Sequence, residues 1–291
     1  MEVAAGAALA PEGDPPLSNP EDCKVDDARL VVANALQARQ QGASLLTRTT
    51  CQSAVRQNGL WSVQLKDNDT GQCQLQRAKV LINATGPWAQ SFLEGPLNQA
   101  SPQHVHLVKG SHFVVKRMYP GQQAYLLQND DERIVFVIPF GTDFTLVGTT
   151  DTEYHGDPAN VVMDEEEEAY LLKAVNDCFA RQLNRADILW RYAGVRPLCE
   201  DNSAKASDIS RDYTLELELG PDDPVPLVSI FGGKITTYRK LAETVLAKLK
   251  PYLPQMGGDW TARVPLSGGD IDVYGEGAYE QWLQSQAINY P

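Results

Sequence analysis

Pro226-Leu-Val-Ser-Ile-Phe-Gly-Gly-Lys-Ile-Thr-Thr237 is the stretch of sequence that decides the fold. Its apolar start predicts a buried strand, and the apolar spacing over 237–250 predicts a helix. The two glycines between them let a ligand approach the backbone, and a helix start offers free N–H groups. Lys234 adds a positive charge, so the turn suits a phosphate or an electron-rich ring. A plain turn with a surface lysine is the alternative, and the P-loop pattern is not matched.

A second turn has the same character. The apolar run 80–83 predicts a buried strand that ends in Ala84-Thr85-Gly86. Ligands of α/β sheets bind at the carboxyl ends of strands. This turn is therefore a second candidate for ligand contact, although a plain turn is the favoured interpretation when the motif is considered alone.

The length, composition and net charge of the chain exclude several classes of protein. The chain has 291 residues, of which 43% are hydrophobic and 22% are charged, and its formal net charge is -13. These values indicate a globular chain with a large core and argue against a nucleic-acid binder. The five cysteines form no Cys-x-x-Cys pair, so we expect free thiols in a reducing cytoplasm. No metal site is expected, and no apolar run is long enough to span a bilayer.

The periodicity of the chain predicts its elements. After a flexible leader over 1–21, an Asp26-capped helix with Val25, Ala28, Val32, Ala35 and Leu36 on one face ends at Gly42. Two further helices are predicted over 164–181 and 237–250. Strands are predicted over 44–56, 61–66, 72–79, 80–83, 104–115, 123–129, 133–139, 145–150, 188–196, 212–217 and 226–231.

Three polar side chains stand out as candidates for chemistry. Arg196 ends an apolar strand, where its guanidinium needs an anion, and either a ligand phosphate or a structural carboxylate meets that need. Arg211 allows the same two interpretations, and its polar surroundings favour the salt bridge. His112 enters a strand through a glycine and could take a proton near neutral pH, although a lone histidine is more often a polar residue with its hydrogen bonds satisfied. The acidic run 164–168 is interpreted as charges that complement the helix dipole.

Seven short motifs, which include the candidate residues above, follow one another in a fixed order along the chain. They are Val25-Asp-Asp-Ala-Arg-Leu30, Asn83-Ala-Thr-Gly-Pro-Trp88, Lys109-Gly-Ser-His112, Gly148-Thr-Thr-Asp151, Tyr192-Ala-Gly-Val-Arg-Pro-Leu198, Arg211-Asp-Tyr213 and Phe231-Gly-Gly-Lys-Ile-Thr-Thr-Tyr-Arg239. Together they resemble the bacterial FAD-dependent (aerobic) sn-glycerol-3-phosphate dehydrogenases, from residue 22 to residue 269. The family's N-terminal G-x-G-x-x-G fingerprint and most of its helical C-terminal domain have no counterpart here. We therefore expect a truncated member, whose own FAD binding and activity are open.

The resemblance implies oxidation of sn-glycerol 3-phosphate to dihydroxyacetone phosphate, with FAD as hydride acceptor and quinone as electron acceptor. His112, Arg196 and Lys234 are the implied catalytic residues. Arg196, Arg211, Lys234 and Thr150 are the implied substrate-binding residues. Thr85, Gly86, Gly232, Gly233, Lys234, Ile235 and Thr236 are implied to line the flavin ring.

The implied architecture is a mixed α/β and α+β fold. A partial FAD-binding domain over 22–86 and 202–250, lacking its first strand and helix, is joined to an antiparallel-sheet substrate domain over 87–201. Residues 251–291 would begin the C-terminal region. The resemblance also implies a cytoplasmic protein, peripheral on the inner membrane, and a homodimer. Two other hypotheses stay open, namely another oxidase of the same flavoprotein superfamily and a catalytically inactive fragment.

Overall fold

Runs of consecutive strands, most of them antiparallel, are separated by a few helices in a computed structural model that describes residues 25–199, 213–269 and 278–287. The helices are α1 (Asp27–Gln40), α2 (Ala89–Glu94), α3 (Glu165–Cys178), α4 (Tyr238–Leu249) and α5 (Ala278–Ala287). The strands are β1 (Thr49–Gln57), β2 (Leu60–Asp67), β3 (Cys73–Ala78), β4 (Leu81–Asn83), β5 (Val105–Lys116), β6 (Tyr125–Gln128), β7 (Ile134–Phe140), β8 (Phe144–Gly148), β9 (Thr152–Tyr154), β10 (Ile188–Cys199), β11 (Tyr213–Leu219) and β12 (Pro226–Gly232).

The largest sheet is antiparallel, as predicted. Its strand order is β10-β5-β8-β7-β6, and β9 also pairs with β5. Alternate residues of these strands point to one face and form a core with α3, in which Phe113, Val137 and Leu171 are fully buried. The apolar runs in this part of the chain made the strands predictable from the sequence.

Two smaller sheets complete the mixed α/β and α+β fold, which confirms the predicted fold class. β4 pairs in parallel with β12 over three residues, and β11 pairs antiparallel with the other side of β12. The separate β1-β2-β3 sheet is anchored to β12 by Trp61. The Trp61 indole is 1% exposed and donates a hydrogen bond of 2.9 Å to the Pro226 carbonyl oxygen.

Helix α1 forms where it was predicted, and the Asp26 side chain caps it by accepting a hydrogen bond from the Arg29 N–H. Its apolar face is nevertheless not buried, since Val32 is 56% exposed and Leu36 is 39% exposed. An amphipathic pattern predicts a helix and the face it would bury, but it does not supply the partner. Among the described residues, no element covers this face.

Several element boundaries differ from the prediction, and one short strand was missed. β1 begins at Thr49 instead of Ser44, because Arg48 adopts a left-handed turn conformation with φ of 54°. Helix α3 ends at Cys178 instead of Arg181, because Phe179 is extended. The short strand β9 was not predicted, since the apolar run that precedes it gave no sign of a second pairing with β5.

Candidate active site

The parallel pair β4 and β12 brings the two glycine-containing turns to one edge. Asn83, the last residue of β4, is opposite Ser229 in the middle of β12. The Asn83 amide is fully buried and donates 2.9 Å to the Ala89 carbonyl oxygen, and its own oxygen accepts a 2.7 Å bond from the Thr85 hydroxyl. The sequence predicted both turns separately, and the sheet topology places them side by side.

The backbone of these turns is accessible to a ligand. Gly86, Gly232 and Gly233 have φ values of 57°, 73° and 105°, which other residues adopt only with strain. A side chain on Gly86 would meet open space, so this backbone lies at a free surface. Lys234 is exposed, and so are the neighbouring residues implied to line the ring, Ile235 and Thr236.

The second part of the site is one face of the large sheet. Cross-strand neighbours share a face, as do residues two apart on one strand. On β5 and β10, Gly110 pairs with Gly194 and His112 pairs with Tyr192, while His112 also pairs with Gly148 of β8. Three of these positions are glycines, so the face is locally lined by backbone.

Strand β10 connects the two parts of the site. It contacts both β12 and the turn over 86–88 that follows β4. The face that carries Arg196 and His112 therefore belongs to the same region of the molecule as the exposed glycine turns. The structure thus brings together two sets of residues that the sequence predicted separately.

Arg196 is held beside the glycine-lined face. Its guanidinium forms an ion pair with Asp151 and donates 3.3 Å to the Thr149 hydroxyl oxygen. A side chain on Gly110 would lie within 3.1 Å of Arg196 Nη2 and would overlap Thr149, so only glycine leaves this space. About a third of the Arg196 side chain is exposed, which leaves donors available to an anion.

His112 lies flat against its neighbours. Its ring stacks on Tyr192 with a centroid distance of 4.8 Å and an interplanar angle of 5°. On another side it covers Gly148, where a methyl group would overlap the imidazole. Burial, and next the charge of Arg196, lower the pKa of His112 to about 4. The imidazole is therefore neutral at pH 7. Its buried Nδ1 has no hydrogen-bond partner within the described ranges.

Two predicted substrate-binding residues remain, Thr150 and Arg211, and the structure describes only the first of them. Thr150 is 1% exposed, and its hydroxyl accepts from the Ser111 N–H and donates to Glu167. This geometry favours support from beneath the site over direct contact with a ligand. Arg211 lies outside the described residues.

Sequence reasoning missed four residues of this arrangement. Asp151 and Thr149 contact Arg196, Tyr192 stacks on His112, and Glu167 bonds to Thr150. Asp151, Thr149 and Tyr192 stand within the quoted motifs, which was the available signal. Glu167 was concealed in the acidic run 164–168, which does begin helix α3, but the interpretation of that run as charges that complement the helix dipole gave no sign that two of its members are buried. Glu167 and Glu168 are 6% and 5% exposed, because they form ion pairs with cations of the sheet, Lys109 and Arg191.

Acid should destabilise the chain through His112. The pKa of this residue is about 4 in the folded chain, against about 6.5 for an unfolded histidine. As pH falls from 6.5 to 4 the unfolded chain gains a proton that the folded chain does not bind, so stability is lost. The difference corresponds to ~3 kcal/mol.

Urea unfolding at pH 7 and pH 4.5 would measure this loss. We expect His112→Gln to lose less stability between the two pH values than the unsubstituted chain. His155→Gln is the control, since His155 is 82% exposed. Equal losses in the unsubstituted chain and His112→Gln would contradict the prediction.

Comparison with known proteins places this geometry in a family. The family model described as FAD dependent oxidoreductase matches residues 6–218. The chain belongs to this family. The match begins inside the segment 1–21, for which the sequence predicts a leader and which lies outside the described residues.

Two named relatives and one solved structure indicate which members of the family the chain is similar to. The chain is 54% identical over 249 residues to a glycerol-3-phosphate dehydrogenase of Pseudomonas aeruginosa, covering 86% of this chain and 48% of the relative. It is 43% identical over 287 residues to a D-erythritol 1-phosphate dehydrogenase of Brucella abortus, covering 97% and 56%. A glycerol-3-phosphate dehydrogenase of Bacillus halodurans, solved with FAD, superimposes with a TM-score of 0.77 at 31% identity, covering 91% of this chain and 50% of the other. The chain thus spans about half the length of these relatives.

Two further observations concern metals and membranes. No group of three or more metal-ligating side chains is found in the part of the chain that the structure describes. Over the same residues, none of the helices combines the length and the apolar character that crossing a bilayer requires.

Proposed function

We propose that this chain carries the substrate-binding and ring-lining part of a FAD-dependent dehydrogenase that oxidises sn-glycerol 3-phosphate to dihydroxyacetone phosphate. The observation that carries the proposal is that Arg196 and His112 lie on the same glycine-lined face of the large sheet. A fixed guanidinium suits a phosphate, and a neutral imidazole on the same face suits a hydroxyl proton. The named dehydrogenases to which the chain is similar support this interpretation.

The described residues fit the ring end of FAD. The positive-φ glycines at 86, 232 and 233 expose backbone at one sheet edge, and the apolar Ile235 is 40% exposed beside them. Such a surface suits a flat heteroaromatic ring. The chain has no G-x-G-x-x-G sequence, so the same argument does not extend to the pyrophosphate.

FAD, when bound, supplies the hydride acceptor. Arg196 binds the substrate phosphate and so fixes the position of the C2 hydroxyl. His112 accepts the hydroxyl proton as the C2–H bond breaks and the ketone forms. Lys234 places a positive charge near the flavin and substrate oxygens, where electron density increases during the reaction.

The weak basicity of His112 in the free chain is suited to this order of events. Arg196 is the second cause of its lowered pKa, after burial. A phosphate on Arg196 offsets that positive charge, so substrate binding raises the pKa of His112. The imidazole therefore becomes a stronger base when the substrate is in place.

An absorption spectrum tests the proposal. We expect the purified chain, incubated with FAD and freed of excess, to retain flavin bands, and anaerobic sn-glycerol 3-phosphate to bleach them. The enantiomer sn-glycerol 1-phosphate is the control for substrate geometry. Flavin bands that no phosphorylated polyol bleaches would contradict the proposed reaction, and a colourless chain would contradict the proposal that these residues hold the flavin ring without the missing fingerprint.

Two other substrates are tested in the same assay. D-Erythritol 1-phosphate is included because the Brucella abortus relative matches 97% of the chain. Glycine and sarcosine represent the substrates of other oxidases of the superfamily. Arg196 and Lys234 favour a phosphorylated substrate over these amino acids, which have no phosphate to bind. Faster bleaching by one of these compounds would assign the chain to that alternative.

The resemblance alone supports the remaining parts of the proposal. They are a quinone as electron acceptor, a cytoplasmic location at the surface of the inner membrane and a homodimer. Sedimentation of the chain with and without lipid vesicles, and reduction of a soluble quinone, would test them separately.

A further inference from the structure

A buried polar cluster lies beneath the strand that carries His112, on the side of helix α3. Its centre is the carboxylate of Glu167, in the first turn of α3. This carboxylate accepts hydrogen bonds from the Ser111 hydroxyl at 2.7 Å and the Thr150 hydroxyl at 2.8 Å, and pairs with Lys109 Nζ at 2.9 Å. Glu167 and Thr150 are 6% and 1% exposed, so these bonds are shielded from water.

The cluster contains buried charged groups, Lys109 and Glu167, whose loss of hydration must be offset by ion pairs and hydrogen bonds. Burial alone would lower the pKa of Lys109, but its bonds to Asp164 and Glu167 raise that pKa above the ordinary value. A buried carboxylate that loses one donor is left partly unsatisfied, which is costly. The cluster therefore has one favoured arrangement, and the groups bonded to it are held in place.

Thr150 connects this cluster to the opposite face of the sheet. Its hydroxyl accepts from the Ser111 backbone N–H at 2.9 Å while it donates to Glu167. The residues on either side of it, Thr149 and Asp151, are the two that contact the Arg196 guanidinium. Fixing Thr150 from below therefore fixes the two neighbours that orient the arginine above.

We propose that Thr150, anchored by Glu167, is a positioning residue that orients Arg196 for the substrate phosphate. The inference rests on the proposed function, and it assigns to Glu167 and Thr150 a part in phosphate recognition without contact with the phosphate. A guanidinium that is already oriented loses less conformational freedom when the anion binds.

Thr150→Val, which keeps the shape and removes the hydroxyl, is the main test. We expect the KM for sn-glycerol 3-phosphate to rise about tenfold while kcat changes less than about threefold, because binding and not the chemical step is affected. Thr150→Ser keeps the hydroxyl and should restore the KM to within about twofold of the unsubstituted chain.

Ser111→Ala is the matched control. It removes a hydroxyl from the same carboxylate without touching the loop that holds Arg196, so it should lower stability and leave the KM unchanged. Glu166→Gln, an exposed neighbour on α3, should change neither. If Thr150→Val does not fold, Glu167→Gln replaces it with the same expected rise in KM.

A double-mutant cycle separates positioning from general damage. In an Arg196→Lys background, Thr150→Val should raise the KM less than about twofold further, because two residues acting through one contact are not additive. Equal tenfold effects in both backgrounds, or no effect in either, would overturn the inference.

The NMR signals of the Arg196 guanidinium give a readout without substrate. In the unsubstituted chain a held guanidinium should show distinct N–H signals, which Thr150→Val should broaden or merge and Ser111→Ala should retain. Unchanged signals in Thr150→Val would overturn the inference. Failure of the unsubstituted chain to oxidise any phosphorylated polyol would instead count against the proposed function, whatever the signals show.

Discussion

Arg196→Met is expected to raise the KM for sn-glycerol 3-phosphate by about two orders of magnitude. Removing one partner of a partly buried, charge-assisted contact costs several kcal/mol, and ~2.7 kcal/mol corresponds to a hundredfold change in affinity. The substitution also leaves Asp151 facing the substrate phosphate without its cation, so repulsion adds to the lost attraction.

Steady-state kinetics of the flavin-loaded chain would measure this effect. Arg48→Met is the control, since Arg48 forms an ion pair with Asp69 at 2.5 Å in the separate β1-β2-β3 sheet. We expect the control to leave the KM unchanged. An Arg196→Met variant with the KM of the unsubstituted chain would show that the phosphate binds elsewhere.

His112→Gln is expected to lower kcat by about 10²- to 10⁴-fold, which is the usual contribution of a positioned general base. Glutamine has a comparable length and polarity but cannot accept a proton near neutral pH. Because Arg196 still binds the phosphate, the KM should change far less than kcat.

Rapid-reaction measurement of flavin bleaching isolates this step from electron transfer to any acceptor. Tyr192→Phe keeps the ring that stacks on His112 and should retain most of the rate. A His112→Gln variant that bleaches as fast as the unsubstituted chain would remove this residue from the chemistry.

The sequence predicted the elements of the large sheet well and their pairing less well. Strands such as β5 and β10 are long, so their local pattern was sufficient to predict them. The contact of Arg196 with Asp151 joins residues 45 positions apart, and neither local pattern implies it. The sequence left open whether Arg196 met a ligand or a carboxylate, and the structure shows that a carboxylate orients it.

Burial was the property that sequence patterns predicted least reliably. The face of α1 that includes Val32 and Leu36 predicted a buried helix, and the structure leaves it exposed. The run 164–168 was interpreted as charges that complement the helix dipole, without any sign of burial, yet Glu167 points inward, because Lys109 and Ser111 face α3 from β5. In both cases the outcome depends on which element packs opposite, and that information lies far away in the chain.

The short parallel pairing of β4 with β12 has a consequence for folding. Asn83 and Ser229, which meet there, are separated by 146 positions, and the whole antiparallel sheet lies between them. Closing so long a loop is entropically slow, whereas neighbouring hairpins of that sheet can form early. The edge that presents Gly86 and Gly232 should therefore assemble last and open first. Amide hydrogens of β4 should accordingly exchange with solvent faster than those of β5, and a ligand seated on that edge should slow them.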